Sequence, residues 1–267
     1  MALTHTVALV DCIKTLNECL SDISPSVDKT IAKLAIDLEG VDLCRYGRIS
    51  ILQILAAHSG IIWLVDITTL GRVAFEHVND EGRSLRSLLE GREFKKVRKS
   101  LAALVHSFID DDQLFYDVRN DADALWNLYG VDIANAYDLQ VLEVAVRRSS
   151  RLQVKLVSGL AKTIDRYLSP PLEWQRVKEA GSKLFRPDLG GSYEVFEERP
   201  LDPRLAQYAA QDVSLLFQLE ATLERQIGHW GVDWIGRVAT ASARRVAEAK
   251  SANYSGHGMH RAKAPVI

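Results

Sequence analysis

The sequence predicts an α/β fold in which helices flank a central mixed sheet of five to six strands, with a mainly helical C-terminal half. Apolar runs of strand length recur up to residue 139, helical spacing replaces them afterwards, and no linker-like segment separates the halves. Apolar residues make up 47% and charged residues 25% of the 267 residues, the ordinary mixture of globular proteins. This composition excludes disorder for most of the chain.

The first half alternates strands with helices. Residues 6–10 form a short apolar run, and residues 12–23 have the apolar spacing of a helix. Strands are then expected at residues 33–38, 49–56 and 60–67. Because only a short loop separates the last two runs, we expect them to pair as antiparallel neighbours.

Shorter elements lead to the middle of the chain. Helices are expected at residues 70–77 and 85–90. An apolar run at 114–118 is followed at once by a helical pattern at 122–129, and residues 134–137 form the last short strand.

The second half contains helices separated by prolines. Helical patterns cover residues 139–148, 152–167, 173–181, 203–227 and 234–250. Pro170, Pro171 and Pro200 interrupt this part, because proline cannot continue a helix. Residues 251–267 have little apolar surface to bury and an excess of Arg and Lys, so we expect a largely disordered, basic tail.

Composition also excludes several classes of protein. No apolar run reaches the roughly 18 residues that a membrane-spanning helix needs. The formal charge of −2 excludes a globally basic nucleic-acid coat but not a local basic groove. Three cysteines, with no pair two residues apart, argue against a disulfide framework and favour a reducing compartment. With no recognisable targeting segment at the start, we expect a cytoplasmic or nuclear protein.

Two acids lie two residues apart on the second predicted strand. Asp37 and Glu39 therefore face the same side of the sheet. Like charges this close disfavour joint ionisation, and a divalent cation removes that cost. The alternative is a strand that ends at the solvated edge of the sheet.

A second acidic cluster lies where the strand at 114–118 meets the next helix. It contains Asp117, Asp121 and Asp123. Acids at this place can also cap the helix and complement its dipole, so either role is open.

The third position is inside the helix predicted at 203–227. Tyr208 and Asp212 are four residues apart and share one helix face, which continues through apolar residues and points inward. A buried aspartate needs a partner. No Lys or Arg lies within one helix turn, so either a bound cation or the Tyr208 hydroxyl has to satisfy it.

Taken in order, these segments resemble the DEDD superfamily of 3′-5′ exonucleases, in the branch with a tyrosine in the third motif that includes ribonuclease D. The first motif resembles Asp37-Leu38-Glu39, the second places the family's aspartate on Asp121, and the third resembles Tyr208 with Asp212. Residues 185–193 and 199–201 are similar to the Egalitarian-like subgroup with eukaryotic, especially fungal, members.

The resemblance implies an RNase H-like fold and a two-metal phosphodiesterase. Asp37, Glu39, Asp121 and Asp212 would hold two Mg²⁺ or Mn²⁺ ions, with Asp37 shared, and Tyr208 would orient the attacking water. The substrate would be the 3′ end of single-stranded nucleic acid, RNA or DNA, and the product a 5′-nucleotide. Some Egalitarian-like proteins are RNA-binding adaptors, so a catalytically inactive adaptor is the alternative.

The resemblance also divides the chain. We expect the exonuclease domain at residues 1–230, a C-terminal helix at 231–250 and the basic tail at 251–267. Residues 98–114 are predicted to be an insertion, because joining Val97 to Phe115 gives one continuous strand. The insertion would be either an extra amphipathic helix or an intron left in the gene model. Arg119, Lys162, Lys183 and Arg186 are candidate phosphate contacts.

Overall fold

A computed structural model describes residues 5–24, 33–91, 113–227 and 233–267. Its centre is a mixed sheet of six strands in the order β1-β4-β3-β2-β5-β6. The strands are β1 Thr6–Val10, β2 Leu34–Val41, β3 Arg48–Ala56, β4 Ile61–Asp66, β5 Gln113–Phe115 and β6 Ala136–Asp138. The antiparallel pairing of β3 with β4 confirms the sequence-based prediction, while β1 with β4, β2 with β5 and β5 with β6 are parallel.

Eleven α-helices surround this sheet in the described part of the chain. They are α1 Ile13–Ile23, α2 Ile67–Leu70, α3 Val73–Glu76, α4 Leu85–Leu89, α5 Arg119–Ala124, α6 Leu139–Ser149, α7 Leu160–Leu168, α8 Leu172–Phe185, α9 Pro203–Ser214, α10 Leu216–Gln226 and α11 Trp234–Ala249. The predicted mixed sheet with a helical C-terminal half is thus confirmed. No helix in the described ranges is long and apolar enough to cross a membrane.

Two hydrophobic cores lie on opposite faces of the sheet. Leu34, Ile36 and Leu38 of β2 pack into the core that includes α1. Ala35, the intervening residue, packs into the core formed with α6, α9 and α10. Because side chains alternate along a strand, Asp37 and Glu39 are directed to the face covered by α9.

Three predicted helices differ from those observed. The helix predicted at 203–227 is interrupted at Leu215, whose φ of −112° and ψ of 3° are not helical. The pattern at 122–129 becomes the end of α5 followed by a π-helical turn at Leu125–Tyr129. Only the second half of the helix predicted at 152–167 is helical, because α7 begins at Leu160.

The late start of α7 has a cause in the C-terminal segment. Residues 155–157 are extended and hydrogen-bond to that segment: Val157 N donates to Ala262 O, and Ala264 N donates to Lys155 O, both at 2.9 Å. Leu156 forms a β-bridge with Lys263. These long-range bonds satisfy backbone groups that a local helix would otherwise satisfy.

The prediction of a disordered tail at residues 251–267 is wrong, because the structure places this segment against the domain. It contains a 3₁₀ turn at Met259–Ala262. Arginines from the domain donate to its carbonyls: Arg119 to Arg261 O at 3.0 Å and Arg148 to Pro265 O at 2.7 Å. Hydrogen bonds to its backbone hold the segment, together with the packing of Tyr254 and Ile267 against the two cores. A count of apolar residues does not detect such hydrogen bonds.

The predicted insertion at residues 98–114 falls largely outside the described residues. Its last two positions do not belong to it, because Gln113 and Leu114 are part of β5 and pair with both β2 and β6. The Gln113 side chain also donates to Leu89 O at 2.8 Å. The C-terminal boundary of any insertion therefore lies at or before residue 112.

Candidate active site

Three carboxylates from two elements converge over one face of β2, an interior strand of the sheet. One oxygen each from Asp37, Glu39 and Asp212 lie within 4.8 Å of one another. β2 supplies the first two from one face, and α9 crosses that face with Asp212. Asp212 is only 7% exposed, whereas Asp37 and Glu39 are partly exposed. The packing of α9 on β2 therefore brings together three of the residues that the sequence predicts for the site.

A bulge in β3, at Ser50, lies opposite the step from Glu39 to Gly40 in β2. The pairing register with β3 shifts between Glu39 and Gly40. A Cβ atom at Gly40 would lie 2.0 Å from the carbonyl oxygen of Arg48, so only glycine allows this close approach. The bulge increases the local twist between β3 and β2 next to the acids of β2.

The three carboxylates of this cluster repel one another when they are ionised. Burial, followed by the charge of Asp212, raises the pKa of both Asp37 and Glu39 well above their usual values. Burial also raises the pKa of Asp212. The site therefore disfavours its own full ionisation, and positive charge inside it would relieve that cost.

Asp121 lies beside the three acids rather than among them. It is in the first turn of α5 and is 5% exposed. Burial, followed by the charge of Asp37, raises its pKa well above the usual value. The charges of Asp37 and Glu39 thus act on Asp121, which is not one of the three residues whose oxygens converge.

The other two acids of the second cluster have structural partners. Asp123 accepts from the backbone N and side chain of Arg45 at 2.8 and 2.7 Å. Asp117 pairs with Arg119; burial acts to raise the pKa of Asp117, but the guanidinium outweighs it and the pKa is lowered. Asp117 and Asp123 thus have arginine partners. The sequence alone could not distinguish them from Asp121.

Asp138, which sequence reasoning missed, holds the start of this segment in place. Its two carboxylate oxygens accept from Asp117 N at 2.9 Å and Val118 N at 3.2 Å. Arg245 of α11 donates to it at 2.6 Å. Its position at the end of β6, capping α6, was readable from the sequence, but its contact with the β5–α5 turn was not.

Lys178 is a second residue that sequence reasoning missed. It projects from α8, forms an ion pair with Oδ1 of Asp212, and donates to the carbonyl of Tyr208 at 3.2 Å. Its Nζ lies 3.7 Å from the centre of the Tyr208 ring. Lys178 is not within one turn of Asp212 in the sequence, because it belongs to the neighbouring helix α8.

Tyr208 is held by close packing of α8 on α9. A Cβ atom at Gly181 would lie 2.4 Å from Cβ of Tyr208, and the ring of Phe185 lies 5.0 Å away in an edge-on arrangement. Burial, followed by the charge of Asp212, raises the pKa of Tyr208. The phenol therefore stays protonated at neutral pH and can donate a hydrogen bond, but it cannot act as a base.

The candidate phosphate contacts have mixed outcomes. Arg119 is 8% exposed and engaged with Asp117, and Arg186 is exposed and bonded to Asp188. Lys162 and Lys183 are exposed on α7 and α8. Arg119 and Arg186 are therefore already paired with carboxylates.

A sequence model of the 3′-5′ exonuclease family matches residues 7–228. The chain belongs to this family. The matched region contains all four acids, Tyr208 and the six-stranded sheet apart from the first residue of β1.

Solved structures share the fold. The RNase D of Trypanosoma brucei in complex with GMP superposes with a TM-score of 0.68 at 23% identity, covering 98% of this chain and 70% of that one. Its complex with RNA U12 gives a TM-score of 0.67 at 21% identity, covering 99% and 78%. Escherichia coli RNase D gives 0.57 at 16% identity, covering 92% and 51%.

Among curated proteins, the chain is similar to the piRNA biogenesis protein EXD1 of mouse. The two are 25% identical over 192 residues, which is 71% of this chain and 29% of the relative. Human EXD1 is 24% identical over the same length, 32% of that protein. The chain thus matches less than a third of the length of these relatives.

Proposed function

We propose that this protein is a metal-dependent 3′-5′ exonuclease that hydrolyses phosphodiester bonds from the 3′ end of single-stranded nucleic acid and releases 5′-nucleotides. The observation that supports it is the convergence of Asp37, Glu39 and Asp212, with Asp121 beside them, in a chain of the 3′-5′ exonuclease family. These four acids come from distant positions in the chain and repel one another when they are ionised. A bound cation would stabilise their ionised form.

The donor set fits divalent cations. All four candidate ligands are carboxylates, the hard oxygen donors that Mg²⁺ and Mn²⁺ prefer. Oδ2 of Asp212 is buried and has no hydrogen-bond partner among the described residues, so one lone-pair direction remains available. We propose that Asp37, Glu39, Asp121 and Asp212 hold two such ions. When bound, the ions would lower the pKa of a water and stabilise the charge on the attacking and leaving oxygens.

The protein's own residues prepare the remaining steps. Tyr208, protonated and packed one helix turn before Asp212, would orient the attacking water through its hydroxyl. Lys178 holds Oδ1 of Asp212 and leaves Oδ2 to a cation, so both positive charges can share one carboxylate. Lys178 also brings a fixed positive charge next to the place where the scissile phosphate would lie.

RNA is the first substrate to test. The superposed RNase D of Trypanosoma brucei is seen with GMP and with RNA U12, and the EXD1 relatives are piRNA biogenesis proteins. Stacking and phosphate contacts to single strands tolerate many sequences, so DNA belongs in the same assay.

The Lys178–Asp212 ion pair also favours a second candidate function. An internal ammonium already neutralises part of the acid cluster without any metal. A catalytically inactive RNA-binding adaptor on the same fold would keep such a pair.

A metal titration separates the two candidates. For the exonuclease, Mn²⁺ should raise the thermal midpoint of the wild type, since a ligand that binds only the native state stabilises it. Asp37→Asn should lose most of this gain, whereas the exposed control Glu173→Gln should keep it. An adaptor would bind single-stranded RNA equally well in EDTA and in Mn²⁺, show no Mn²⁺-dependent stabilisation and release no nucleotide from RNA or DNA.

A further inference from the structure

A second charged site lies between α11 and the C-terminal segment. A cavity of about 560 Å³ opens there to solvent. Five cationic side chains line it, with one acid: Arg119, Arg244, Arg245, Arg261 and Lys263, with Glu248. None of these residues belongs to the carboxylate cluster.

The fold fixes these cations in place. The side chain of Arg261 donates to Asn120 Oδ1 at 3.2 Å and lies 4.7 Å from the centre of the Tyr254 ring. Lys263 is anchored through the β-bridge between its backbone and Leu156. Arg119 donates to the carbonyl of Arg261 at 3.0 Å, which ties α5 to the segment.

Carboxylates neutralise only part of this charge. Asp117 and Asp138 pair with Arg119 and Arg245, and Glu248 lies 3.8 Å from Arg244. Within the described ranges, Arg261 and Lys263 have no carboxylate at ion-pair distance. Burial, together with the nearby charge of Arg119, lowers the pKa of Arg261, as expected where cations outnumber acids.

A buried donor in the wall of the cavity has no acceptor. Arg245 is 3% exposed, and its Nη1 donates to Asp138 at 2.6 Å. Its Nη2 is buried and has no hydrogen-bond partner in the part of the chain that the structure describes. A guanidinium N–H left without an acceptor is costly, so an oxygen ligand in the cavity would be stabilising.

We propose that this cavity binds a phosphate group. Four arginines beside a lysine present the planar donor forks and the excess charge that a phosphate needs for several charge-assisted hydrogen bonds. The cavity is also large enough for a whole nucleotide. The phosphate would come either from a free 5′-nucleotide or from the backbone of a bound strand. This binding requires no hydrolysis, so it does not depend on the proposed nuclease activity.

The cavity adjoins the acid cluster without sharing residues with it. Arg119 lines the cavity and is the first residue of α5, and Asp121 lies two residues later in the first turn of the same helix. The first turn of α5 therefore contributes one residue to the cavity and one to the acid cluster. A strand that reaches the carboxylates has a second anchoring point close by.

Binding of inorganic phosphate, 5′-AMP and a single-stranded RNA oligonucleotide to the full chain, measured by calorimetry in EDTA, tests the proposal. Arg261→Ala/Lys263→Ala should weaken binding by roughly tenfold to a hundredfold, the usual loss when charged hydrogen bonds are removed. The matched control Arg176→Ala/Arg225→Ala removes the same charge from exposed positions on α8 and α10 and should bind as the wild type does.

The probes identify the source of the phosphate. Binding of inorganic phosphate and 5′-AMP indicates a nucleotide site, and binding of the oligonucleotide alone indicates a strand site. Lys263→Glu, whose side chain is exposed, repeats the test if the double variant has a lowered thermal midpoint without ligand. Wild-type affinity in either pocket variant, an equal loss in the control, or no binding of any probe by the wild type would overturn the proposal.

Discussion

The contact between Gly181 and Tyr208 can be tested by adding one methyl group. In Gly181→Ala the new Cβ would lie 2.4 Å from Cβ of Tyr208 and 2.8 Å from two ring atoms. Carbon atoms in contact lie about 3.5 Å or more apart, so α8 and α9 must separate by roughly 1 Å at this point. Lys178 is on the same helix, one turn earlier, so it moves with α8.

The expected change in stability is small. Overpacking costs about 1–3 kcal/mol, and replacing a helical glycine with alanine returns about 1 kcal/mol of helix propensity. The free energy of unfolding should therefore fall by about 0–2 kcal/mol. The expected change in rate is larger, because a misplacement of about 1 Å in a catalytic group can cost about a hundredfold.

Two measurements compare these effects. Urea unfolding gives the stability, and the rate of nucleotide release from single-stranded RNA under saturating Mn²⁺ gives the activity. Gly60→Ala is the matched control, since a Cβ there meets nothing within 4 Å. A Gly181→Ala variant that retains the wild-type rate would show that the α8–α9 contact does not position Tyr208.

Four further predictions follow from the same geometry. Asp37→Asn and Asp212→Asn should both abolish hydrolysis while circular dichroism shows a retained fold; the thermal midpoint in EDTA should rise for Asp37→Asn, whereas Asp212→Asn gains less because it leaves Lys178 without its carboxylate. Tyr208→Phe should lower the rate by roughly 10²–10³ and keep Mn²⁺ affinity, measured by calorimetry, close to that of the wild type. The raised pKa values of Asp37, Glu39 and Asp121 predict that the contribution of these acids to stability in EDTA is fully present below the usual carboxyl range, about pH 4, and is lost as pH rises through the raised values; pH-dependent melting of the wild type compared with Asp37→Asn should show a smaller loss in the variant. Deleting residues 98–112, with Gln113 and Leu114 retained for β5, should leave the thermal midpoint and metal-dependent hydrolysis near wild type, because surface loops cost little closure entropy; an unfolded or inactive product would mean that the segment is integral to the domain.

Local periodicity carried much of the information about the site. Two-residue spacing put Asp37 and Glu39 on one face of β2, and four-residue spacing put Tyr208 and Asp212 on one face of α9. The sheet followed from runs long enough to show their period. β5, with three residues, was misplaced because so short a strand has almost no pattern of its own.

Contacts between distant segments were not predictable in this way. Lys178 reaches Asp212 because α8 packs on α9, and no residue near Asp212 in the sequence indicates this contact. The C-terminal segment is ordered by arginines that donate to backbone carbonyls, as Arg148 does to Pro265. Such bonds leave no hydrophobic signature. The break at Leu215 likewise carries no proline or glycine to mark it.

The polarity and metal dependence of RNA shortening test the central proposal most directly. Single-stranded RNA labelled at its 5′ end is incubated with wild type, Asp37→Asn or Glu173→Gln, in Mn²⁺ or in EDTA. The proposal predicts a ladder that shortens one nucleotide at a time from the 3′ end, with wild type and Glu173→Gln in Mn²⁺ only, and no ladder with Asp37→Asn. Full-length RNA that persists with the wild type in Mn²⁺, or a ladder of equal rate with Asp37→Asn, would contradict it.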